Sequence, residues 1–162
     1  MIRLALLKAS YVAIRRKDAV VVGADTIVSL GPRRFGKPDS RDSAREMLKQ
    51  LSGKTHLVIT GVALVGIEPG IRETLVEKTA VRFRSLSDEE VEGYISTQEP
   101  YDKAGGYGIQ GKAGSFIEET DGEIENVIGL PMISLENLLK KAGFNFLRPS
   151  AHPPRGSKVP AD

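Results

Sequence analysis

The sequence has 162 residues, of which 40% are hydrophobic and 27% are charged, and it contains no cysteine. This length and composition fit a soluble globular protein with a full core, and they exclude a disulfide framework and thiolate chemistry. No apolar run approaches the roughly 18 residues of a membrane-spanning helix, and the first residues make a poor secretory signal, so we expect a cytoplasmic protein with no membrane partner.

The formal net charge of +2 is carried by residues 145–162, so residues 1–144 are formally neutral. Because nucleic-acid binding requires a concentrated basic surface, we expect no nucleic-acid partner. Residues 145–162 are rich in proline and glycine and show no periodicity, which predicts a disordered tail after a single domain of residues 1–144. The alternative is that this basic tail itself binds nucleic acid.

The chain begins with a predicted helix over residues 2–16, followed by a strand from Ala19 to Leu30. The strand contains Asp25, and a carboxylate in apolar surroundings is costly unless a cation, a metal ion or backbone donors pair with it. Asp25 is therefore either a functional residue or an acid that caps a turn at a strand end. The helix is expected to bury an apolar stripe of Leu4, Leu7, Tyr11 and Ile14.

A turn at residues 31–32 leads into a predicted loop over residues 33–38, which carries Lys37 on a constrained backbone. The simplest interpretation of this lysine is a surface cation. Ser40 to Gln50 is the clearest helix of the sequence, because a capping residue precedes an apolar stripe and Gly53 suits the left-handed position at its end.

Apolar residues 57–65 and the alternating residues 75–83 predict a β-hairpin. His56 lies at its entrance and is interpreted as a hydrogen-bonded structural histidine, because no second histidine or cysteine stands at metal-ligand spacing. Ser87 and Glu90 then form a capping box that predicts a short helix.

The segment from Asp102 to Gly114, here called the glycine-rich segment, has five glycines in thirteen residues. Its backbone can expose N–H groups to an anion, and Lys103 and Lys112 add positive charge. The alternative is a flexible surface loop, although the interleaved apolar residues are unlike those of a linker.

Two short strands are predicted over residues 115–118 and 124–128, and Pro131 opens a last helix that ends at Gly143. Alternating strands and helices predict an α/β domain with a mixed sheet. Within it, Asp25 could hold Mg²⁺ or act as a base toward water, and loop lysines could neutralise phosphates. Gln110 could recognise a base edge, since an amide offers both a donor and an acceptor.

Several motifs then resemble the Maf family of nucleoside-triphosphate pyrophosphatases, and the resemblance runs from about Leu4 to Leu139. It implies a fold similar to that of the inosine-triphosphate pyrophosphatases, with a bent mixed sheet in two lobes and a central cleft. It also implies hydrolysis between the α- and β-phosphates with a divalent metal, Mg²⁺ or Mn²⁺. The motifs are VVGADTIV, FGKPDSRDSAREMLKQLSGKTHLVITGVAL, LSDEEVEGYISTQEPYDKAGGYGIQG and NVIGLP.

The resemblance assigns a role to each matching position. Asp25 resembles the family's proton acceptor, which also lies beside the metal, and Thr26 and Gln110 resemble positions assigned to substrate choice. Lys37 and Lys103 resemble lysines on the phosphate side. The sequence YGIQG is similar to that of the branch acting on dTTP and UTP.

One departure is large, because the Ser-x-Ser-Pro-Arg-Arg loop and the acidic segment that follows it in the family have no counterpart here. We therefore expect an N-terminally truncated fold with unpaired sheet backbone and an open apolar face, which could favour a homodimer. The expected activity is hydrolysis of dTTP and UTP. The alternative is an inactive relative that binds nucleotide or a protein partner without hydrolysis.

Overall fold

The structure is a computed structural model that describes residues 1–68 and 70–144. The predicted disordered tail, residues 145–162, lies outside the described residues. The described residues contain five strands, β1 to β5 in chain order, which are Val20–Leu30, Arg33–Phe35, Thr55–Gly66, Ile71–Phe83 and Ile117–Asp121. The same part of the chain contains five α-helices, α1 to α5, which are Ile2–Ala13, Arg41–Leu51, Asp88–Ile95, Ile124–Ile128 and Met132–Lys141. None of the helices in these two ranges is long and apolar enough to span a membrane.

The strands form one sheet in the order β2-β1-β3-β4-β5, which confirms the predicted α/β class. Every pairing between described strands is antiparallel, whereas the sequence suggested a mixed sheet. The physical reason lies in the connections, since β1–β2 and β3–β4 are joined by short turns that admit only antiparallel hairpins. The hairpin predicted from the alternation over residues 57–83 is thereby confirmed.

β1 has one open edge over most of its length. It pairs with β3 from Val20 to Ser29, but with β2 only from Val28 to Leu30. Residues 20–27 therefore have no strand partner on the β2 side within the described chain. This agrees with the expectation that sheet backbone is left unpaired.

Helix α1 packs on one face of the sheet through alanines rather than through its large side chains. Ala5, Ala9 and Ala13 are fully buried. A Cβ at Gly23 would lie 2.3 Å from the Ala5 carbonyl oxygen, so the helix backbone lies almost directly on β1. The predicted stripe was wrong, because such close contact leaves no room for leucine or tyrosine. Its four members, Leu4, Leu7, Tyr11 and Ile14, are all exposed.

The opposite face of the sheet carries the main core. Helix α2 is confirmed: Ser40 caps it, and Ala44, Leu48 and Leu51 are buried against the sheet. The capping box at the start of α3 is also confirmed, with both of its hydrogen bonds present. Helix α5 packs farther along this face through Leu135 and Leu138, whereas its first residue, Met132, is exposed.

Two local predictions were wrong. Residues 33–35 form strand β2 rather than a loop, because the turn at residues 31–32 folds them back onto β1. Residues 124–128 form the short helix α4 rather than a strand. The Asn126 side chain explains this, since it is buried and donates hydrogen bonds to the Val58 carbonyl and the Thr79 hydroxyl, both at 3.1 Å.

Candidate active site

A cavity of about 500 Å³ lies along the open edge of β1. Its walls come from both sides of the sheet, because α1 contributes on one face while the glycine-rich segment and α4 contribute on the other. The five residues to which the resemblance assigns a role all line it, namely Asp25, Thr26, Lys37, Lys103 and Gln110.

Asp25 lies in the middle of β1, so it does not cap a turn at a strand end. It is opposite Gly61 on β3, on the face that α1 covers. Its side chain is 16% exposed, and one carboxylate oxygen accepts a hydrogen bond from Lys8 Nζ at 2.7 Å. The α-amino group of Met1 lies 3.9 Å from the other oxygen. The carboxylate is therefore paired with the ammonium group of Lys8 at the cavity wall.

Lys8 is the site residue that the sequence reasoning missed. Its ammonium group also donates to the Ala24 carbonyl at 3.2 Å, on the open edge of β1. Because Lys8 lies off the apolar stripe predicted for its helix, the sequence pattern indicates only a solvent-facing cation at this position. The signal that could have found it is the spacing, because Lys8 directly precedes Ala9, which packs against the sheet beside Asp25.

Thr26 follows Asp25 in the strand and therefore points to the opposite face. Its hydroxyl forms a 2.9 Å hydrogen bond with the hydroxyl of Thr60, a fully buried residue of β3. Two adjacent residues on opposite faces line one cavity only because the cavity runs along the strand edge.

Lys37 and Lys103 reach the cavity from two segments that are joined through their backbones. The Gly105 amide donates to the Gly36 carbonyl at 2.9 Å, which connects the loop after β2 with the glycine-rich segment. Lys103 Nζ donates to Asp102 at 2.6 Å, and this bond lowers the pKa of Asp102, with a smaller effect from the charge of Lys37. This wall therefore carries two cations and one carboxylate.

The glycine-rich segment is held close to the sheet. Gly105 has a φ of 74° and its Cα faces the side chain of Val28, where an added Cβ would lie 2.9 Å from a methyl group. Gln110, farther along, is exposed and lines the cavity. Lys112 is absent from the lining, and its amide instead donates to Glu99 at 3.0 Å. Of the two lysines proposed for the segment, only Lys103 reaches the cavity.

The cavity offers oxygen donors to a divalent cation. Two carboxylates line it, Asp25 and Asp102. Mg²⁺ is commonly bound by one or two carboxylates together with substrate phosphates, so this donor set fits such an ion when a phosphate chain is present. No cluster of three or more His, Cys, Asp or Glu side chains suited to a metal occurs within residues 1–68 and 70–144. His56 is buried and bonded to Tyr107, as expected for a structural histidine.

The strand order and the cavity define an α/β protein with a lysine-lined cleft at one edge of an antiparallel sheet. The sequence profile of the family described as Maf-like protein matches residues 1–142. The chain belongs to the Maf family.

Curated relatives agree with this assignment. A Bacillus cereus protein named dTTP/UTP pyrophosphatase is 49% identical over 138 residues, which cover 85% of this chain and 71% of the relative. Proteins of the same name from Syntrophus aciditrophicus and Pelotomaculum thermopropionicum are 45% and 46% identical. Their matches cover 87% and 86% of this chain, and 69% and 73% of the relatives, respectively.

Proposed function

We propose that this protein is a nucleoside-triphosphate pyrophosphatase that hydrolyses dTTP and UTP to the monophosphate and pyrophosphate. The observation that carries the proposal is the similarity to relatives named dTTP/UTP pyrophosphatase over at least 85% of the chain. The cavity is consistent with it, because Asp25 and the lysines at positions 8, 37 and 103 line one cleft. These names give no support to binding without hydrolysis.

In the proposed reaction, Asp25 takes a proton from a water molecule whose oxygen attacks the α-phosphorus. The bond between that phosphorus and the bridging oxygen breaks, and the bridging oxygen leaves with the pyrophosphate. Lys8 lies 2.7 Å from Asp25 and holds the carboxylate in place before the substrate binds. Ammonium groups fixed beside a phosphate chain stabilise the charge that develops in the transition state.

We assign the phosphate side of the cleft to Lys37 and Lys103, and the base side to Thr26 and Gln110. An exposed amide at the cavity wall suits a pyrimidine edge, because it presents both a donor and an acceptor. The hydroxyl of Thr26 is already bonded to Thr60, so its contribution is to the shape of the wall.

Asp25 is the proposed holder of a divalent cation, Mg²⁺ or Mn²⁺, and Asp102 is the other carboxylate that lines the cavity. Such an ion, when bound, would neutralise phosphate charge and polarise the phosphoryl group. The experiment for this part is removal of the ion. Activity should be lost in chelator and restored by adding Mg²⁺ or Mn²⁺.

The central test is release of pyrophosphate from dTTP and UTP by the wild-type chain and by Asp25→Asn. Asparagine keeps the size of the side chain but cannot accept a proton, so we expect a rate loss of at least about 10²-fold, comparable to the loss of one key catalytic group. Wild-type turnover no higher than that of the variant would contradict the proposal. Calorimetric binding of dTTP in the absence of turnover would instead favour a binding protein.

We also propose that a second copy of this chain associates with the exposed apolar face of α1. Four large side chains on this one helix, Leu4, Leu7, Tyr11 and Ile14, are between 50% and 65% exposed. Apolar patches of this kind are typical of contact surfaces.

A further inference from the structure

The glycine-rich segment has little regular structure of its own to hold it in place. Most of its internal hydrogen bonds are short-range turns, such as Gly106 to Lys103 and Gly111 to Gly108. Gly105 and Gly106 have φ values of 74° and 72°, in a region that glycine enters at low cost. A segment of this composition is entropically costly to order, so its conformation depends on where it is attached to the rest of the fold.

Tyr107 is the side chain that attaches the middle of the segment to the core. It is only 5% exposed, and its ring meets those of Phe83 and His56 edge to face, with centroid distances of 4.7 and 5.4 Å. Its hydroxyl forms a 2.7 Å hydrogen bond with His56 Nε2. Burial raises the pKa of Tyr107, so the phenol stays protonated.

His56 is fixed at the second residue of β3 and is 2% exposed. Its ring packs against Phe83 at a centroid distance of 4.9 Å. Burial lowers the pKa of His56 to about 4, against a smaller opposing effect of the Lys54 carbonyl. A buried imidazole must give up its hydration, whereas phenylalanine would fill this space without that cost.

The hydrogen bond between His56 and Tyr107 therefore serves to orient the tyrosine side chain rather than to fill the core. It fixes the depth and rotation of Tyr107, which stands four residues after Lys103 and three before Gln110. Tyr107 and Gly108 themselves form part of the cavity wall. The side chain of Lys103 lies across Gly108, where an added Cβ would be 2.7 Å from the lysine Cδ and Cε atoms. A shift of Tyr107 would thus move both the lysine and the glutamine.

We propose that His56 is a positioning residue of the site: its hydrogen bond to the Tyr107 hydroxyl holds the glycine-rich segment against β3, so that Lys103 and Gln110 face the cavity. The role in nucleotide binding rests on the proposed function. The attachment of the segment to β3 does not.

The test compares Tyr107→Phe, His56→Leu and His56→Gln with the wild-type chain. Tyr107→Phe removes one oxygen and keeps the ring, and glutamine can place an amide group near the position of His56 Nε2. Tyr101→Phe is the matched control, because Tyr101 donates a comparable 2.8 Å hydrogen bond to the Ile95 carbonyl and does not line the cavity.

Hydrogen–deuterium exchange measures how firmly the glycine-rich segment is attached to β3, and it requires no nucleotide. In Tyr107→Phe and His56→Leu we expect faster exchange of residues 103–111, by about 3- to 10-fold as for the loss of one hydrogen bond, while β4 is unchanged. The Tyr101→Phe control and His56→Gln should retain wild-type exchange in this segment. Equal exchange in wild type and Tyr107→Phe, or identical behaviour of His56→Gln and His56→Leu, would overturn the proposal.

Steady-state kinetics with dTTP then separate positioning from a loss of folded protein. Misplacement of Lys103 and Gln110 should raise KM by about 3- to 10-fold in Tyr107→Phe, with a smaller change in kcat. A mere loss of folded protein would lower the apparent kcat at unchanged KM, and that result would count against positioning. If wild type neither binds nor turns over dTTP and UTP, the proposed function fails, while the exchange experiment still decides the attachment.

Discussion

The carboxylate of Asp25 and the ammonium group of Lys8 form a pair that is unequal in its exposure to water. Lys8 is 57% exposed on its side of the pair and Asp25 is 16% exposed. An ion pair with so much water at the lysine stabilises a fold by at most about 1 kcal/mol. The ion pair therefore matters because it holds the carboxylate at the strand edge along which the cavity runs, and not because it stabilises the fold.

Replacement of Lys8 by methionine should lower kcat/KM for dTTP by about 10²-fold and leave the melting temperature nearly unchanged, because one cation is lost beside the reacting groups. Lys17→Met removes the same charge from an exposed position outside the cavity lining and is the control. Steady-state kinetics and thermal melts provide both readouts. Equal activity of the two variants would remove Lys8 from the site.

His56 makes stability depend on pH. Its pKa of about 4 in the folded chain is below the ordinary 6.5, so the unfolded chain binds more protons between these two values. The stabilising effect of the neutral ring is present above pH 6.5 and is lost as the pH falls toward 4, by about 3 kcal/mol in total. Urea denaturation between pH 7 and 4.5 should show a steeper loss of stability in wild type than in His56→Gln, because the carboxylates with lowered pKa values, Glu90 and Glu92, contribute equally to both. Parallel slopes would contradict the assignment.

At the scale of secondary structure, the contact between α1 and the sheet depends on small residues, alanines on the helix and glycines on the strands. Ala5 and Ala9 meet Gly23, and the first residues of α1 meet Gly61, where an added Cβ would lie 2.7 Å from the Ile2 amide nitrogen. The helix thereby brings Lys8 close enough to bond Asp25 and the β1 edge. Any added methyl at this contact would move the helix away from the site.

Two glycine-to-alanine substitutions, one at this contact and one away from it, distinguish the effect of a clash with α1 from the general effect of replacing glycine by alanine. Gly23→Ala should destabilise the fold by about 1–3 kcal/mol, because its Cβ would overlap the backbone of α1. Gly93→Ala lies within α3 with nothing within 4 Å of the new Cβ, so it should stabilise by about 0.5–1 kcal/mol. Urea denaturation measures both, and a neutral Gly23→Ala would show that the helix adjusts freely.

The sequence predicts the positions of these elements better than the faces they bury. Helix α1 and strand β1 are found by periodicity, yet the buried face of α1 was missed because hydropathy gives leucine more weight than alanine. The spacing of Ala5, Ala9 and Ala13, together with Gly23, was the usable signal. The β-branched residues of α4 predict a strand, whereas the long-range hydrogen bonds of Asn126 favour the helix and are not visible in the sequence pattern.

The residues of the candidate site are easier to select from the sequence than the residues that each element buries. Asp25 stands out as an acid in an apolar strand, and Lys37, Lys103 and Gln110 stand out as polar side chains in loops. The resemblance to a family adds Thr26 and a role for each of these residues. The resemblance does not include Lys8, whose contact with Asp25 depends on the crossing of α1 over β1, and its position next to Ala9 is the one signal of it in the sequence. The attachment of Tyr107 to His56 is equally long-range, since 51 residues separate the two in sequence.

At the scale of the whole molecule, the exposed face of α1 leads to a prediction about assembly. Sedimentation velocity over a concentration series should show a dimer, and Leu7→Gln should weaken it by reducing the apolar contact. Ile133→Gln on α5 is the control, because Leu7 and Ile133 are 59% and 58% exposed. A monomer at all concentrations, or equal weakening by the two variants, would contradict association through α1.

The open edge of β1 has a consequence for how the cleft can be altered. In an antiparallel strand, successive backbone groups point alternately to the two neighbours, so residues 20–27 present a row of amides and carbonyls outward. Residues 24–27 of this row border the cavity. In that part of the cleft, the hydrogen-bond donors and acceptors are main-chain groups. Every amino acid except proline has the same main-chain donor and acceptor. Its chemistry would therefore persist through changes of side chain that reshape the rest of the wall.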